Sequence, residues 1–213
     1  MSEARTIVLD LDGTLITCAN KQTALFSCIV TRRGHRADPA RFWGFKRDGR
    51  STREAARALG LGDDLASEIA LEWIARIEEP FWLSLDRCYD DVLETLSSLR
   101  REGFRLVLLT ARQHAHWLTG QLSSLGLDTA LDEVIVVMPD AASRQKADHL
   151  RALRPLLFVG DSESDAAAAT QAGVRFVGLE RGQRSRAFLQ GRGVSRIAGS
   201  LREVRCLLPH GLD

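Results

Sequence analysis

The run Ile7-Val8-Leu9-Asp10-Leu11-Asp12-Gly13-Thr14-Leu15 constrains this chain more than any other stretch. Three apolar residues lead straight into two carboxylates, a glycine and a threonine. An uninterrupted apolar run predicts a short strand buried on both faces, as in parallel sheets. Residues i and i+2 of an extended backbone project to the same side, so Asp10 and Asp12 point into one small space at the strand's carboxyl end. That edge of a parallel sheet is where α/β proteins bind ligands. Gly13 lets the chain turn sharply and brings its backbone close to whatever binds there. Neighbouring carboxylates repel, and a shared proton, a bound cation or a plain acidic surface turn would each account for the pair.

The rest of the composition narrows the setting. With 213 residues, the chain has room for one domain, or one domain with a sizeable insertion. Apolar residues at 45% and charged residues at 27% describe a globular chain rather than a disordered one. A formal net charge of +1 argues against a dedicated nucleic-acid binder. Cys18, Cys28, Cys88 and Cys206 are scattered, with no C-x-x-C pair and no zinc spacing, which suits reduced thiols in a cytoplasmic protein. Neither a signal peptide nor a membrane-spanning apolar run is expected.

After Leu15 the periodicity is helical for about 70 residues. Helices are predicted over 21–31, 40–46, from Ser51 to Gly60 with a Ser51/Glu54 capping box, and over 63–79, ended by Pro80. Strand–helix alternation then resumes: helix 90–102, strand 104–109, helix 114–125, strand 133–137, helix 143–153, strand 156–159, helix 164–172, strand 175–179. Such alternation predicts a doubly wound parallel sheet. Residues 16–85 thus read as an inserted helical cap domain, with 1–15 and 86–213 forming the α/β core.

Three further pieces stand at strand ends or helix starts. Thr110-Ala111 closes the strand Phe104–Leu109, where a hydroxyl and the following backbone N–H groups can meet a phosphate; an ordinary helix cap is the plainer alternative. Lys146 lies at a helix start and is the only lysine after Lys46, with Arg144 competing for the same role. Gly160-Asp161 ends an apolar strand, and Asp165 follows four residues later.

Taken in order, D-x-D-G-T at 10–14, Thr110, Lys146 and G-D-x-x-x-D at 160–165 resemble the four motifs of the haloacid dehalogenase superfamily. The helical insert after the first motif resembles the cap of its phosphoglycolate-phosphatase-like branch. The resemblance implies strand order 5-4-1-2-3 and a phosphohydrolase that uses Mg²⁺ and a small phosphorylated substrate. It implies that Asp10 is the nucleophile and Asp12 the acid–base residue. Mg²⁺ would be held by Asp10, the Asp12 carbonyl and Asp161, with Asp165 behind them, and Thr110 and Lys146 would act on the phosphoryl group. Gly13, Thr110, Ala111 and Lys146 are the implied substrate contacts. A phosphomutase or phosphotransferase shares these motifs, and a catalytically idle binding module could keep the fold.

Other signals carry less. His114 and His116 are two apart and do not share a helix face. Arg112, just after Thr110, is placed where it could touch substrate, but a helix-start arginine is usually solvated; Glu163 fits neither metal role and reads as exposed. Trp43, Trp73 and Trp82 read as core. The cap is basic over 30–57, with nine Lys and Arg, and acidic over 63–79, with six Asp and Glu. Either the two halves neutralise each other, or Arg41, Lys46, Arg47 and Arg50 face an anionic substrate. The crossings near 16–20 and 84–87 are expected to act as hinges.

Overall fold

A computed structural model describes residues 5–208; the outermost ends of the expected core, 1–4 and 209–213, lie outside it. The chain opens on β1 (Thr6–Leu9) and then runs through five helices. These are α1 (Ala19–Arg32), α2 (Pro39–Arg47), α3 (Thr52–Ala58), α4 (Asp63–Arg76) and α5 (Pro80–Leu83). The alternating part follows as α6 (Val92–Arg101), β2 (Arg105–Ala111), α7 (Ala115–Ser124), β3 (Glu133–Val137), α8 (Ala142–Leu153), β4 (Leu157–Gly160), α9 (Glu163–Ala172) and β5 (Phe176–Leu179). It ends with α10 (Arg186–Gly191), β6 (Ile197–Ala198) and α11 (Leu201–Arg205).

All strands pair in parallel, in the order β3-β2-β1-β4-β5-β6. This is the expected 5-4-1-2-3 arrangement with a sixth strand added at the edge. β6 has two residues, too few to show a period of two, and α10 and α11 are likewise too short to have been anticipated.

The apolar run of β1 has its physical reason in this layering. Ile7 and Leu9 face one side, packing with Val92, Leu96, Leu118, Leu122 and Leu201 of α6, α7 and α11. Val8 faces the other, with Val107, Leu109, Ala147, Leu150, Ala168 and Ala169 from β2, α8 and α9. Both faces of the central strand are covered, which is why Ile7, Val8 and Leu9 are apolar without interruption. α8 ends before Pro155, as expected, with Arg154 carried into the left-handed region at φ 46°.

The helices between β1 and α6 gather round an apolar cluster of their own. It comprises Leu25, Phe26, Ile29 and Val30 of α1, Phe42 of α2, Ala55 and Ala56 of α3, Ala66 and Ile69 of α4, and Trp82. Phe26 and Phe42 stack with ring centroids 3.8 Å apart. The Ser51/Glu54 capping box is present at the start of α3. Pro80 does not close the fourth helix. α4 stops at Arg76, and Pro80 opens α5 from its first position, where its missing N–H costs nothing. The chain leaves and re-enters the core side by side: Thr17 N–H donates to the Arg87 carbonyl (2.8 Å), and Tyr89 N–H donates to that of Leu15 (3.2 Å).

A separate apolar cluster makes a local prediction. Phe26→Ala removes one of two stacked, fully buried rings and should cost about 3–5 kcal/mol. In native-state hydrogen exchange the loss of protection should concentrate in α1–α4 and spare β1, β2 and β4. Equal loss across the sheet would mean that the two clusters unfold as one.

Candidate active site

Because β1, β2 and β4 run parallel as neighbours, their carboxyl ends deliver Asp10 and Asp12, Thr110 to Arg112, and Asp161 to one edge. Asp10 N–H donates to the Val159 carbonyl (2.9 Å), tying the nucleophile candidate to the strand that carries Asp161. α8 and α9 bring Lys146 and Asp165. Together these residues line a cavity of about 260 Å³, joined by Ala111, Ser162, Glu163, Gln183 and Arg184.

Lys146 lies between two carboxylates, with Nζ 2.7 Å from Asp10 Oδ1 and 2.6 Å from Asp165 Oδ1. Arg144, its rival, is exposed, because residues two apart on a helix face different ways. Burial alone would discharge Lys146, yet Asp10 and then Asp165 outweigh it and hold the ammonium charged. Asp165 also closes a capping box on α9: its Oδ2 accepts from Ser162 Oγ (2.6 Å) and Ser162 N–H (3.2 Å). The helix start thereby fixes the carboxylate that orients Lys146.

Asp12 is held from both sides. Its Oδ1 meets Lys21 Nζ at 3.0 Å, and its Oδ2 is ion-paired with Arg112. Lys21 also reaches Asp86 at 2.6 Å, and Gln121 Nε2 donates to the same Asp86 oxygen at 2.9 Å. Burial works to raise the Asp12 carboxyl, but Arg112 and then Lys21 outweigh it and hold Asp12 well below the usual carboxylate range. Asp10 goes the opposite way, pushed up to about 7 by burial against the pull of Lys146. Burial, then Asp10 and Asp165, push Asp161 well above the ordinary range.

Counting every buried charged side chain among the described residues, six acids face four bases. The acids are Asp10, Asp12, Glu78, Asp86, Asp161 and Asp165; the bases are Lys21, Lys46, Arg112 and Lys146. Carboxylate oxygens of Asp10, Asp161 and Asp165 lie within 4.8 Å of one another. Buried, hard-oxygen and short of positive charge, this trio suits a divalent cation of the Mg²⁺ kind.

Gly13 does not stand on the cavity wall. At φ +78° it turns beneath Asp161, where an added Cβ would come 1.8 Å from Asp161 Oδ2 and 2.8 Å from Gly182 Cα. The backbone approach thus seats a carboxylate, and the Gln183 N–H donates to that same oxygen.

Two side chains expected in solvent are not there. Arg112 is 7% exposed, because it lies two positions past Thr110, just beyond the end of β2, and points into the same site. Glu163 is half-buried, drawn in by Arg184 at 2.6 and 2.8 Å. His114 and His116 pack against Trp117 with their rings tilted and contribute to no acidic or metal-holding cluster among the described residues. Most of the basic residues expected over the substrate are otherwise engaged. Lys46 is buried on Thr52 (3.2 Å) and over the Trp73 ring, Arg47 donates to the Glu180 carbonyl, and Arg50 lies over Phe45. Arg32 and Arg33 pair with Glu72, and Arg53 and Arg57 with Asp63, so the basic and acidic halves neutralise each other. Trp82 and Trp73 pack in the helical cluster as core residues.

Lys21 and Asp86 are not anticipated from the sequence, and Arg112 is discounted there as solvated. Lys21 carries a signal: it stands four residues before Leu25, on the face that α1 buries with Leu25, Phe26, Ile29 and Val30.

Comparison with known proteins bears on this arrangement. A family model described as haloacid dehalogenase-like hydrolase matches residues 4–173. The chain is 28% identical over 207 residues to a phosphoglycolate phosphatase of Pectobacterium atrosepticum, covering 85% of this chain and 82% of that protein. It is 32% identical over 107 residues to one of Haemophilus influenzae, of which it spans 47%, with 46% of this chain matched. A haloacid dehalogenase-like protein of Streptococcus pneumoniae superposes with a TM-score of 0.77 at 19% identity, over 97% of this chain and 99% of that one, a likeness of fold. With its motifs gathered at one sheet edge and the family model matching most of its length, this chain belongs to the haloacid dehalogenase-like hydrolases, and its relatives set it among their phosphatases.

Proposed function

We propose that the protein hydrolyses a small phosphate ester through an aspartyl phosphate on Asp10, with Mg²⁺ as its cofactor. The observation that carries this reading is the state of the two aspartates on one edge. Asp10 is poised beside Lys146 and the acidic trio, while Asp12, two residues on, is held by cations alone.

In the first half of the reaction a carboxylate oxygen of Asp10 attacks phosphorus and the ester P–O bond breaks. Lys146 and the N–H groups after Thr110 steady the phosphoryl oxygens, and Asp12 gives its proton to the leaving alkoxide. In the second half water attacks the aspartyl phosphate, Asp12 takes up the water's proton, and Asp10 is freed with inorganic phosphate. Asp12 rests as the carboxylate that this half needs. Protonating it for the first half requires Lys21 or Arg112 to turn toward the incoming anion. Asp10, Asp161 and Asp165 with the Asp12 carbonyl would hold Mg²⁺, which would supply positive charge against the phosphoryl group and the buried acids. Helices α1–α5, residues 16–85 in all, serve as the cap that excludes water, hinged where Thr17 meets Arg87. No helix among the described residues is long and apolar enough to cross a membrane. Phosphoglycolate, the substrate in the relatives' names, is the first ester to try.

Phosphate release, assayed over a panel of small esters, tests the reading. Asp10→Asn should abolish release with the melting curve kept, and Asp12→Asn should lower it by about 10²–10⁴-fold. Wild-type turnover in the Asp10 variant would end the covalent mechanism.

A chelator should abolish release, and Mg²⁺ should restore it. Ca²⁺ should do so poorly, since it takes more ligands at longer distances. Asp161→Ala should raise the Mg²⁺ concentration needed for half-maximal rate. Unchanged rates in chelator would remove the metal.

A further inference from the structure

Arg112 carries an unspent recognition edge. Its Nη1 is used on Asp12 and on the Ala111 carbonyl at 3.3 Å. Its Nε and Nη2 are fully buried and have no partner among the described residues. In a guanidinium those two nitrogens aim their hydrogens along one side of the plane, the side that grips a carboxylate with two parallel bonds. A buried charged donor pair left empty is uncommon in a folded protein.

No side chain among the described residues fills that edge. Glu78, whose charge reaches Arg112, is committed to the Gln113 and His114 N–H groups at 3.0 and 2.9 Å. Both oxygens of Asp12 are already held. Arg184, the other arginine on the cavity wall, has its donors on Glu163 and on the Lys46 and Gln183 carbonyls. Lys46 and Arg47 are engaged away from the cavity. The same guanidinium touches Asp12, the residue assigned to the leaving oxygen, through its Nη1, so a carboxylate bound to its other edge belongs to the leaving group. A cavity of about 260 Å³ that must also take the phosphoryl leaves space only for a short one.

We propose that Arg112 selects the leaving group: its Nε–Nη2 edge binds a carboxylate carried by the alcohol that the phosphoryl leaves. This rests on the phosphatase reading. It moves substrate discrimination from the basic helices to a core residue two positions past Thr110.

Two matched esters test it. Phosphoglycolate and 2-hydroxyethyl phosphate share the phosphoryl and a two-carbon frame and differ in the carboxylate. The wild-type protein should prefer phosphoglycolate in kcat/KM by about 10²-fold, mostly through KM, as expected for a buried bidentate charge pair. Arg112→Gln should slow both esters, since Asp12 loses a partner, and should bring the preference close to one. Arg112→Lys keeps a charge against Asp12 but has no fork. It should recover rate on both esters without recovering the preference. A preference unchanged in Arg112→Gln, with both esters slowed alike, would reduce Arg112 to a holder of Asp12. Wild-type protein that releases phosphate from both esters equally well would overturn the selection and leave the phosphatase reading standing. Wild-type protein that releases none from any ester would overturn both. The wild-type ratio needs no variant, so misfolding of Arg112→Gln would not protect the proposal.

Discussion

An excess of buried negative charge at the carboxyl edge of β1 is the constraint on which the site depends. Asp10, Asp12, Asp86, Asp161 and Asp165 are all less than a tenth exposed, where isolated carboxylates cannot stay ionised at ordinary cost. Each is therefore met by something specific. Lys146 bridges Asp10 and Asp165, Lys21 bridges Asp12 and Asp86, and Arg112 takes the far side of Asp12. Asp161 receives a backbone N–H instead, and Gly13 and Gly182 press against it because neither has a Cβ to clash. The parallel sheet puts these groups together, and the ion pairs decide which of them stay charged.

The same charges join the two parts of the molecule. Lys21 belongs to α1, Asp86 to the returning strand of chain, and Gln121 to α7, yet all three meet at one buried point that ends on Asp12. Glu78 crosses in a second place, accepting the N–H groups that precede α7. At a third, Arg184 donates to the Lys46 carbonyl while Ser185 N–H donates to that of Arg47. The helical segment thus rests on the core through polar contacts, while Leu25, Phe26, Ile29, Phe42, Ile69 and Trp82 face inward to their own cluster. Polar junctions of this kind are easier to part than a shared apolar core, which suits the hinged cap proposed for this segment.

Much of this was legible in the sequence, and where it was, the cause was local. Apolar runs ending in Asp, Thr or Gly-Asp announced strands β1, β2 and β4 and the groups at their ends. The Ser51/Glu54 pair announced α3, because a cap is made by residues three apart. The strand order came from resemblance rather than from periodicity, and β6 was invisible because two residues show no period. Pro80 misled because a proline both stops one helix and starts the next.

By itself, then, the sequence determined most of the elements, the resemblance to the family, and the candidate set Asp10, Asp12, Thr110, Lys146, Asp161 and Asp165. Those properties depend on residues close along the chain or on motifs in fixed order. Only the tertiary structure decided the partners: Lys21 and Asp86 are 65 positions apart, and Arg112 lies 100 residues beyond Asp12. It also decided that Lys46 and Arg47 are engaged elsewhere while Arg112 keeps an open edge. The reason is that burial and charge pairing are set by which side chains the sheet and helices bring within a few ångströms. No spacing along the chain encodes that distance.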